Sequence, residues 1–273
     1  MRWLLPLLLA GCAQPAVPVQ QSATRIVSTS PCVDAVLMAV AEPAQIRAIS
    51  HYSVRAGSTS SPLALARRFD SVSGTAEEVI ARKPDLVFAD SFTPAASRTA
   101  YARAGIRTIT VGVPATIAES KAQLMEIATA VGAPERGRAM AARIDAAVAR
   151  AAPADATRPA LLIWHGGGLV SGTGTLLDEM IRIAGFRNAA ADYGVTQTTI
   201  LPLEQIALHP PRIMLTPPGS DDGSRVETLR RRALAHSPNT LQADFEPRLT
   251  FCGGPTIVAA LDRLAAIRRQ VTP

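Results

Sequence analysis

The stretch from Pro134 to Ala152, PERGRAMAARIDAAVARAA, limits the folds open to this chain more than any other. It reads as one long helix. Pro134 suits the first helical position, where its missing N–H costs nothing. Ala, Arg, Met and Glu are good helix formers. Met140, Ile144, Ala147 and Val148 recur at i, i+4, i+7 and i+8, so one face is apolar. Pro153 and the polar run to Pro159 stop it. Eighteen or so residues at 1.5 Å each reach about 27 Å, roughly the width of a small domain. Such a helix is either a surface helix of one large α/β domain or a strut between two lobes. The strut is the reading adopted, because the two flanking halves follow the same grammar.

Before the strut, Arg25 to Thr29, Ile46 to Ser50, Leu86 to Ala89 and Ile106 to Val111 are short β-branched or apolar runs, with Val72 as a minor one. Helical segments lie between them, at 34–41, 63–69, 97–104 and 117–131. The helix opening at Thr75 has Glu78 three residues on, as in a capping box. After the strut come strands at 160–164, 212–216 and 248–252, with helices at 176–184, 203–208, 226–235 and 255–269. Strands alternating with helices imply parallel sheets, with ligands bound outside their carboxyl ends. One echo links the halves. The residues from Glu77 to Phe88 can be laid on those from Glu204 to Leu215, matching Glu77 with Glu204 and Pro84 with Pro211. The expected division is a signal over 1–11, a tether over 12–23, a first lobe over 24–132, the interlobe helix over 133–153 and a second lobe over 158–273.

The N-terminus reads as an export signal. A short apolar run, Trp3 to Ala10, is too brief to span a membrane and ends in Leu9-Ala10-Gly11-Cys12. That tetrad resembles the lipobox of bacterial lipoproteins, which implies lipidation of Cys12. A plain secretory signal or a misplaced start is the alternative. Two other cysteines remain, Cys32 and Cys252. In an exported chain they form either a disulfide or two buried thiols. The net charge of +6 suggests nucleic acid at first sight. With only two lysines, Lys83 and Lys121, scattered arginines and no recognition motif, nucleic-acid binding is set aside. The run Arg230-Arg231-Arg232 reads as a solvated helix face.

The order and spacing of RIVSTSP, IRAISHYS, EEVIARKPDLVFAD, YARAGIRTITV, the strut, GTGTLLDEMIRIAGFRNAA, LEQIALHPPRIML and LTFCGGPTIVAALDRLA carry a family resemblance. From about Arg25 to Arg269 the chain resembles the periplasmic-binding family that carries cobalamin and iron–siderophore complexes to ABC importers. The resemblance implies two α/β lobes on a rigid helical backbone, a shallow cleft and no catalysis; no resident cofactor is expected, and no metal, because the sequence has no compactly spaced cluster of ligands. It also implies a monomer on the periplasmic side of the bacterial envelope, partnered by a permease. Glu77 and Glu204 are then the exposed carboxylates, one per lobe, that dock on it. The chain departs from the cobalamin-binding members in having few aromatics in the expected cleft loops. A haem or metal carrier of the same fold is the alternative cargo.

Strand ends nominate the ligand-binding residues: Cys32, His51, Tyr52, Asp90, Ser91 and Phe92 in the first half, Trp164, His165, Tyr193 and Arg248 in the second, with Cys252 and Phe245 beside them. Tyr52, Phe92 and Trp164 suit stacking on a flat macrocycle, though core packing is the competing role for each. Arg55 and Arg248 could grip carboxylates of an anionic chelate. His51 and His165 are expected to end equivalent strands in opposite lobes. An enzyme acting on a nucleotide or sugar is the rival class. Ser171-Gly172-Thr173-Gly174-Thr175 is only faintly phosphate-loop-like, and no Gly-x-Ser-x-Gly elbow or paired strand-end carboxylates exist.

Overall fold

The computed structural model describes residues 24–218, 225–235, 237 and 239–271. The first half forms a parallel sheet from β1 (Ile26–Ser28), β2 (Ile46–Ser50), β3 (Ser71–Val72), β4 (Leu86–Asp90) and β5 (Arg107–Val111), in the order β3-β2-β1-β4-β5. Around it lie α1 (Pro31–Val40), α2 (Leu63–Ala66), α3 (Ala76–Ala81) and α4 (Ala95–Arg103). Then α5 (Ile117–Ala130) and α6 (Pro134–Ala151) lead across to the second half. There, β6 (Ala160–Ile163), β8 (Arg187–Asn188), β10 (Ile213–Thr216) and β11 (Leu241–Asp244) make a second parallel sheet, ordered β11-β10-β6-β8. Two short strands, β7 (Leu169–Val170) and β9 (Thr199–Ile200), pair antiparallel beside it. The helices of this lobe are α7 (Leu176–Ile183), α8 (Leu203–Leu208), α9 (Arg225–Ala235) and α10 (Thr256–Val271). No helix among the described residues is long and apolar enough to cross a membrane.

The two sheets share one plan. In the first, β1 sits between β2 and β4; in the second, β6 sits between β8 and β10. Ile26 pairs with Leu86, and Leu161 pairs with Ile213. Leu86 and Ile213 are the residues the sequence echo superposes, so the echo is structural. Because strand side chains alternate between faces, each sheet has an inner and an outer set. Ile26, Leu86, Phe88, Leu161, Ile163, Ile213 and Leu215 face one continuous core that runs through both lobes. Val27, Val87 and Val79 form an outer cluster in the first lobe; Leu162, Met214 and Ile206 form its counterpart in the second.

The strut helix lies at the centre of that shared core. Gly137, Met140, Ile144, Ala147 and Ala151 of α6 are buried, in contact with α5 and α10. Burial of Ile144 alone contributes about 2 kcal/mol. The second lobe departs from expectation at its far edge. The strand expected at 248–252 is a 3-10 turn over Pro247–Leu249, because Pro247 has no N–H to offer a sheet and Thr250 Oγ1 folds back on its carbonyl (2.7 Å). The edge strand is β11 instead, whose residues show no apolar alternation. Arg230 of the supposed solvated run is buried.

A short segment, Cys252-Gly253-Gly254, joins the lobes directly. Cys252 forms a disulfide with Cys32 in the first turn of α1, with Cα atoms 5.1 Å apart. Closing so long a loop stabilises the fold by about 5 kcal/mol on chain-entropy grounds. Gly254 N–H donates to Ser120 Oγ of α5 (2.7 Å), and Ile117 N–H donates to Glu179 Oε2 of α7 (2.6 Å). A Cβ on Gly253 would stand 2.2 Å from Ser120 Oγ and 3.1 Å from Leu176. Gly253→Ala is therefore expected to destabilise the protein by about 1–3 kcal/mol through overpacking. Gly112→Ala, whose Cβ would meet nothing within 4 Å, is the matched control. Denaturant midpoints measure both, and equal midpoints would contradict the close-packing account.

Candidate functional site

The carboxyl ends of the strands in both lobes open on the same side as the Cys32–Cys252 bridge. In the first lobe, β2 ends in a turn closed by Ser53 N–H donating to Ser50 O (3.0 Å). It carries His51 and Tyr52, whose rings lie 4.1 Å apart. Tyr52 is 47% exposed, and the Arg55 guanidinium lies 6.0 Å from its ring centre. At the end of β4, Asp90 Oδ1 accepts from Phe92 N–H (3.0 Å) and from Thr93 Oγ1 (3.3 Å). That turn fixes the loop and leaves Phe92 80% exposed. Ser91 beside it is also exposed. Two rings are thus held out at the ends of β2 and β4 with a cation next to one of them. Burial of such rings is what a flat apolar ligand offers in return.

The second lobe contributes differently. Trp164 is 1% exposed and packs with Leu162, Val170 and Met214, so it is not a stacking surface. The reason is parity: Leu162 and Trp164 share the outer face of β6, under α8. His165 follows and is buried, with Nε2 3.1 Å from Ser171 Oγ. It does not match His51. His51 follows β2, whose counterpart is β8, whereas His165 follows β6, the counterpart of β1. Tyr193 is directed away from the strand ends: its hydroxyl donates to the carbonyl of His209, at the far end of α8. Arg248 is paired with Glu246 and half-buried, and Phe245 is in the core. Cys32 has its sulfur in the disulfide and offers no thiol. Cys12 lies outside the described residues.

Sequence reasoning missed two residues here. Phe251, adjacent to the bridge, is 45% exposed. Asp34 of α1 is fully buried, with Oδ2 accepting from Ser50 N–H (2.8 Å) and Ser53 Oγ (2.7 Å). Its Oδ1 has no partner. Ser28 Oγ is close by but donates to Ser30 O (3.1 Å). Burial pushes the Asp34 carboxyl up to about 7, and Asp90 adds to the rise. The signal available in the sequence was an acid on the apolar face of a helix, among Val33, Val36 and Leu37.

Glu77 and Glu204 are exposed and occupy the same position, the second residue of α3 and of α8. Each helix runs back against the strand that follows it, so both N-termini stand at the strand carboxyl ends, one per lobe. Glu78 is differently employed. Its carboxylate accepts from Ser73 N–H (2.6 Å) and Ser73 Oγ (2.7 Å), which holds it below the usual carboxylate range.

Tyr193 and His165 are both shifted by burial, Tyr193 up to about 12 with Asp192 adding to the rise, and His165 down to about 4. A histidine buried neutral binds its proton more weakly folded than unfolded. Its contribution is complete above the unfolded value near 6.5 and is lost as pH falls towards 4. His165→Gln, which keeps a polar atom for Ser171, should remove that loss. Urea midpoints at pH 7 and pH 4.5 test it; an unchanged acid slope in the variant would refute it.

The fold is shared with known proteins. A family described as "Periplasmic binding protein" matches residues 26–242. The chain is similar to the periplasmic heme-binding protein RhuT from Roseiflexus sp. RS-1 in its apo form, at 21% identity and a TM-score of 0.69, covering 90% of this chain and 99% of that one. A periplasmic heme-binding protein from Pseudomonas aeruginosa gives 21% and 0.71, covering 92% and 94%. The periplasmic vitamin B12-binding protein BtuF of Vibrio cholerae gives 16% and 0.70, covering 92% and 99%. No curated protein sequence matches the chain. With two lobes of one plan on a helical strut and 217 consecutive residues matched, the chain belongs to the periplasmic binding protein family, the substrate-binding components of ABC importers.

Proposed function

We propose that this protein captures a flat, metal-centred chelate and delivers it to an ABC permease, without catalysis. The observation that carries this is the pair of exposed rings, Tyr52 and Phe92, held at the ends of the two strands that flank β1, with Arg55 beside Tyr52. Of the expected cargoes, haem suits these groups best. Its faces stack on aromatic rings, and its carboxylates match a guanidinium fork. Its iron has axial positions that the Tyr52 phenol or His51 imidazole can fill. An iron–siderophore complex has a saturated metal, and a corrinoid carries amides where haem carries carboxylates. The haem-binding names among the structural neighbours support this reading, and the vitamin B12-binding one keeps the corrinoid as the competing outcome. Haemin titration should give a saturable Soret shift, and Tyr52→Ala should weaken binding by about tenfold or more. Undiminished affinity in that variant, or tighter binding of cyanocobalamin or a ferric catecholate than of haem, would overturn the assignment.

Delivery is the second part of the proposal. A monomer anchored through Cys12 on the periplasmic side of the envelope would present Glu77 and Glu204 to arginines on the two halves of the permease. Both carboxylates are exposed and without a hydrogen bond or ion pair among the described residues, and their equivalent positions suit a two-fold symmetric partner. Rim charges govern association more than the chemistry of the cleft. Glu77→Arg combined with Glu204→Arg should therefore abolish uptake and leave ligand affinity intact, whereas Cys12→Ser should release the protein from the membrane fraction. Wild-type uptake by the double variant, or continued sedimentation of Cys12→Ser with membranes, would refute the corresponding half.

A further inference from the structure

We propose that Asp34 is the positioning residue of the Tyr52 turn: Oδ2 of its carboxyl holds the turn closed from beneath, and the charge on that carboxyl decides whether the turn stays closed. The two donors that reach Oδ2, Ser50 N–H (2.8 Å) and Ser53 Oγ (2.7 Å), bracket His51 and Tyr52. One oxygen of one side chain on α1 thus fixes both ends of the segment that presents the ring. From the neighbouring strand, His51 N–H also donates to Val72 O of β3 (2.9 Å); the other contacts are local to the turn, with Tyr52 N–H donating to Ser50 Oγ (3.3 Å) and Ser58 Oγ donating to Tyr52 O (2.9 Å). The β3 carbonyl anchors only His51, whereas Asp34 reaches the residues on both sides of His51 and Tyr52.

Burial and the like charge of Asp90 favour the neutral acid, and the hydrogen bonds from Ser50 and Ser53 with the nearby Ser28 hydroxyl, which favour the anion, offset them only in part. Asp34 is fully buried and Oδ1 is without a partner. Around it are hydroxyls, Ser28 on β1, Ser30 before α1, Ser50 on β2 and Ser53 in the turn, all buried. The charged group that acts on it is Asp90 at the end of β4, of the same sign. His51 is the other titratable group of the turn, and its buried Nδ1 also lacks a partner. A carboxylate formed here has one oxygen unsolvated and a like charge facing it. Opening the 50–53 turn to admit water is the direct relief.

The sign follows. With the carboxyl lifted to about 7, the folded site holds its proton between the unfolded aspartate range and neutrality. The proton's support for the closed turn is complete below about 3.8 and is lost progressively as pH rises to about 7. If Tyr52 touches cargo, as proposed above, affinity falls over the same interval. The cleft would then hold its ligand more tightly in mildly acidic surroundings.

Three full-length proteins test this: wild type, Asp34→Asn and Asp34→Ala. Asn keeps an oxygen for both donors and carries no charge, so its binding should lack the step. Ala removes the acceptor and should bind about tenfold more weakly than Asp34→Asn at every pH, with no step. Haemin affinity is read as the ratio of wild type to Asp34→Asn at each pH, so that titration of haemin itself cancels. That ratio should fall by up to about tenfold between pH 6 and pH 8. A ratio independent of pH, or an Asp34→Ala affinity equal to that of Asp34→Asn, would overturn the proposal. A ligand-free readout separates it from the cargo assignment. Hydrogen exchange of residues 51–55 should quicken in wild type relative to Asp34→Asn as pH rises from 6 to 8. That result without any haemin binding would sink the cargo and keep the positioning role; equal exchange in both proteins would sink the positioning role whatever the cargo.

Discussion

The arrangement of both lobes depends on how closely one short segment approaches two helices. At Cys252-Gly253-Gly254 the chain passes between α5 and the start of α7, near enough that a single added methyl at Gly253 would overlap Ser120. Gly254 takes φ +60, and a Cβ there would stand 2.9 Å from Val36 of α1. Neither position has room for a larger residue, and the disulfide beside them ties the same segment to α1. Further along α5, Gly137 of α6 faces Ala128, where a Cβ would come to 2.6 Å. Helices that approach this closely have little freedom to slide. The two sheets are therefore set relative to each other by contact along α1, α5, α6 and α10, with a core common to both lobes. A cleft built on such a base varies through its loops more readily than through its lobes.

The doubled plan explains where charged and aromatic side chains end up. Each sheet buries its inner set of residues against the helical base and its outer set under short helices. The outer helices α3 and α8 each begin at the cleft side and end in a proline that precedes a central strand. A carboxylate in the first turn of such a helix is stabilised by the helix N-terminus, and it also stands at the rim of its lobe. The same plan assigns Trp164. Its position on β6 is the outer one, and a large apolar ring there completes the cluster with Leu162, Met214 and Ile206.

Much of the fold was legible in the sequence, because its strongest signals are local. The 3.6-residue spacing of Met140, Ile144 and Ala147 predicts a buried helix face, and those residues are buried. Helix, proline and strand recur in the echo, and both copies occupy matching places. The losses occurred where tertiary contact decides. β8 and β9 are two residues long and β11 is mostly exposed, so none carries an apolar pattern to read. The site was less legible for a related reason. A strand-end rule finds Tyr52 and Phe92 but cannot tell which face Trp164 takes unless the parity of the whole strand is followed from Leu162. It is also blind to Asp34, whose importance lies in a contact with residues sixteen and nineteen positions away.

The two lobes offer a ligand unlike surfaces. The floor of the first is polar and buried: Ser28, Ser30, Ser50, Ser53, Thr59, Ser60 and Ser61 surround or adjoin the turn that carries Tyr52. The floor of the second is an apolar cluster closed by Trp164, with His165 held neutral above it. Their titrations pull in opposite senses. As pH falls from neutrality, the buried acid of the first lobe becomes better accommodated, while the buried imidazole of the second is driven to charge. Between those limits the first lobe supplies an adjustable turn and the second an uncharged wall. That division of labour follows from burial alone, since the hydroxyl-rich floor tolerates a buried carboxyl that the cluster around Trp164 could not.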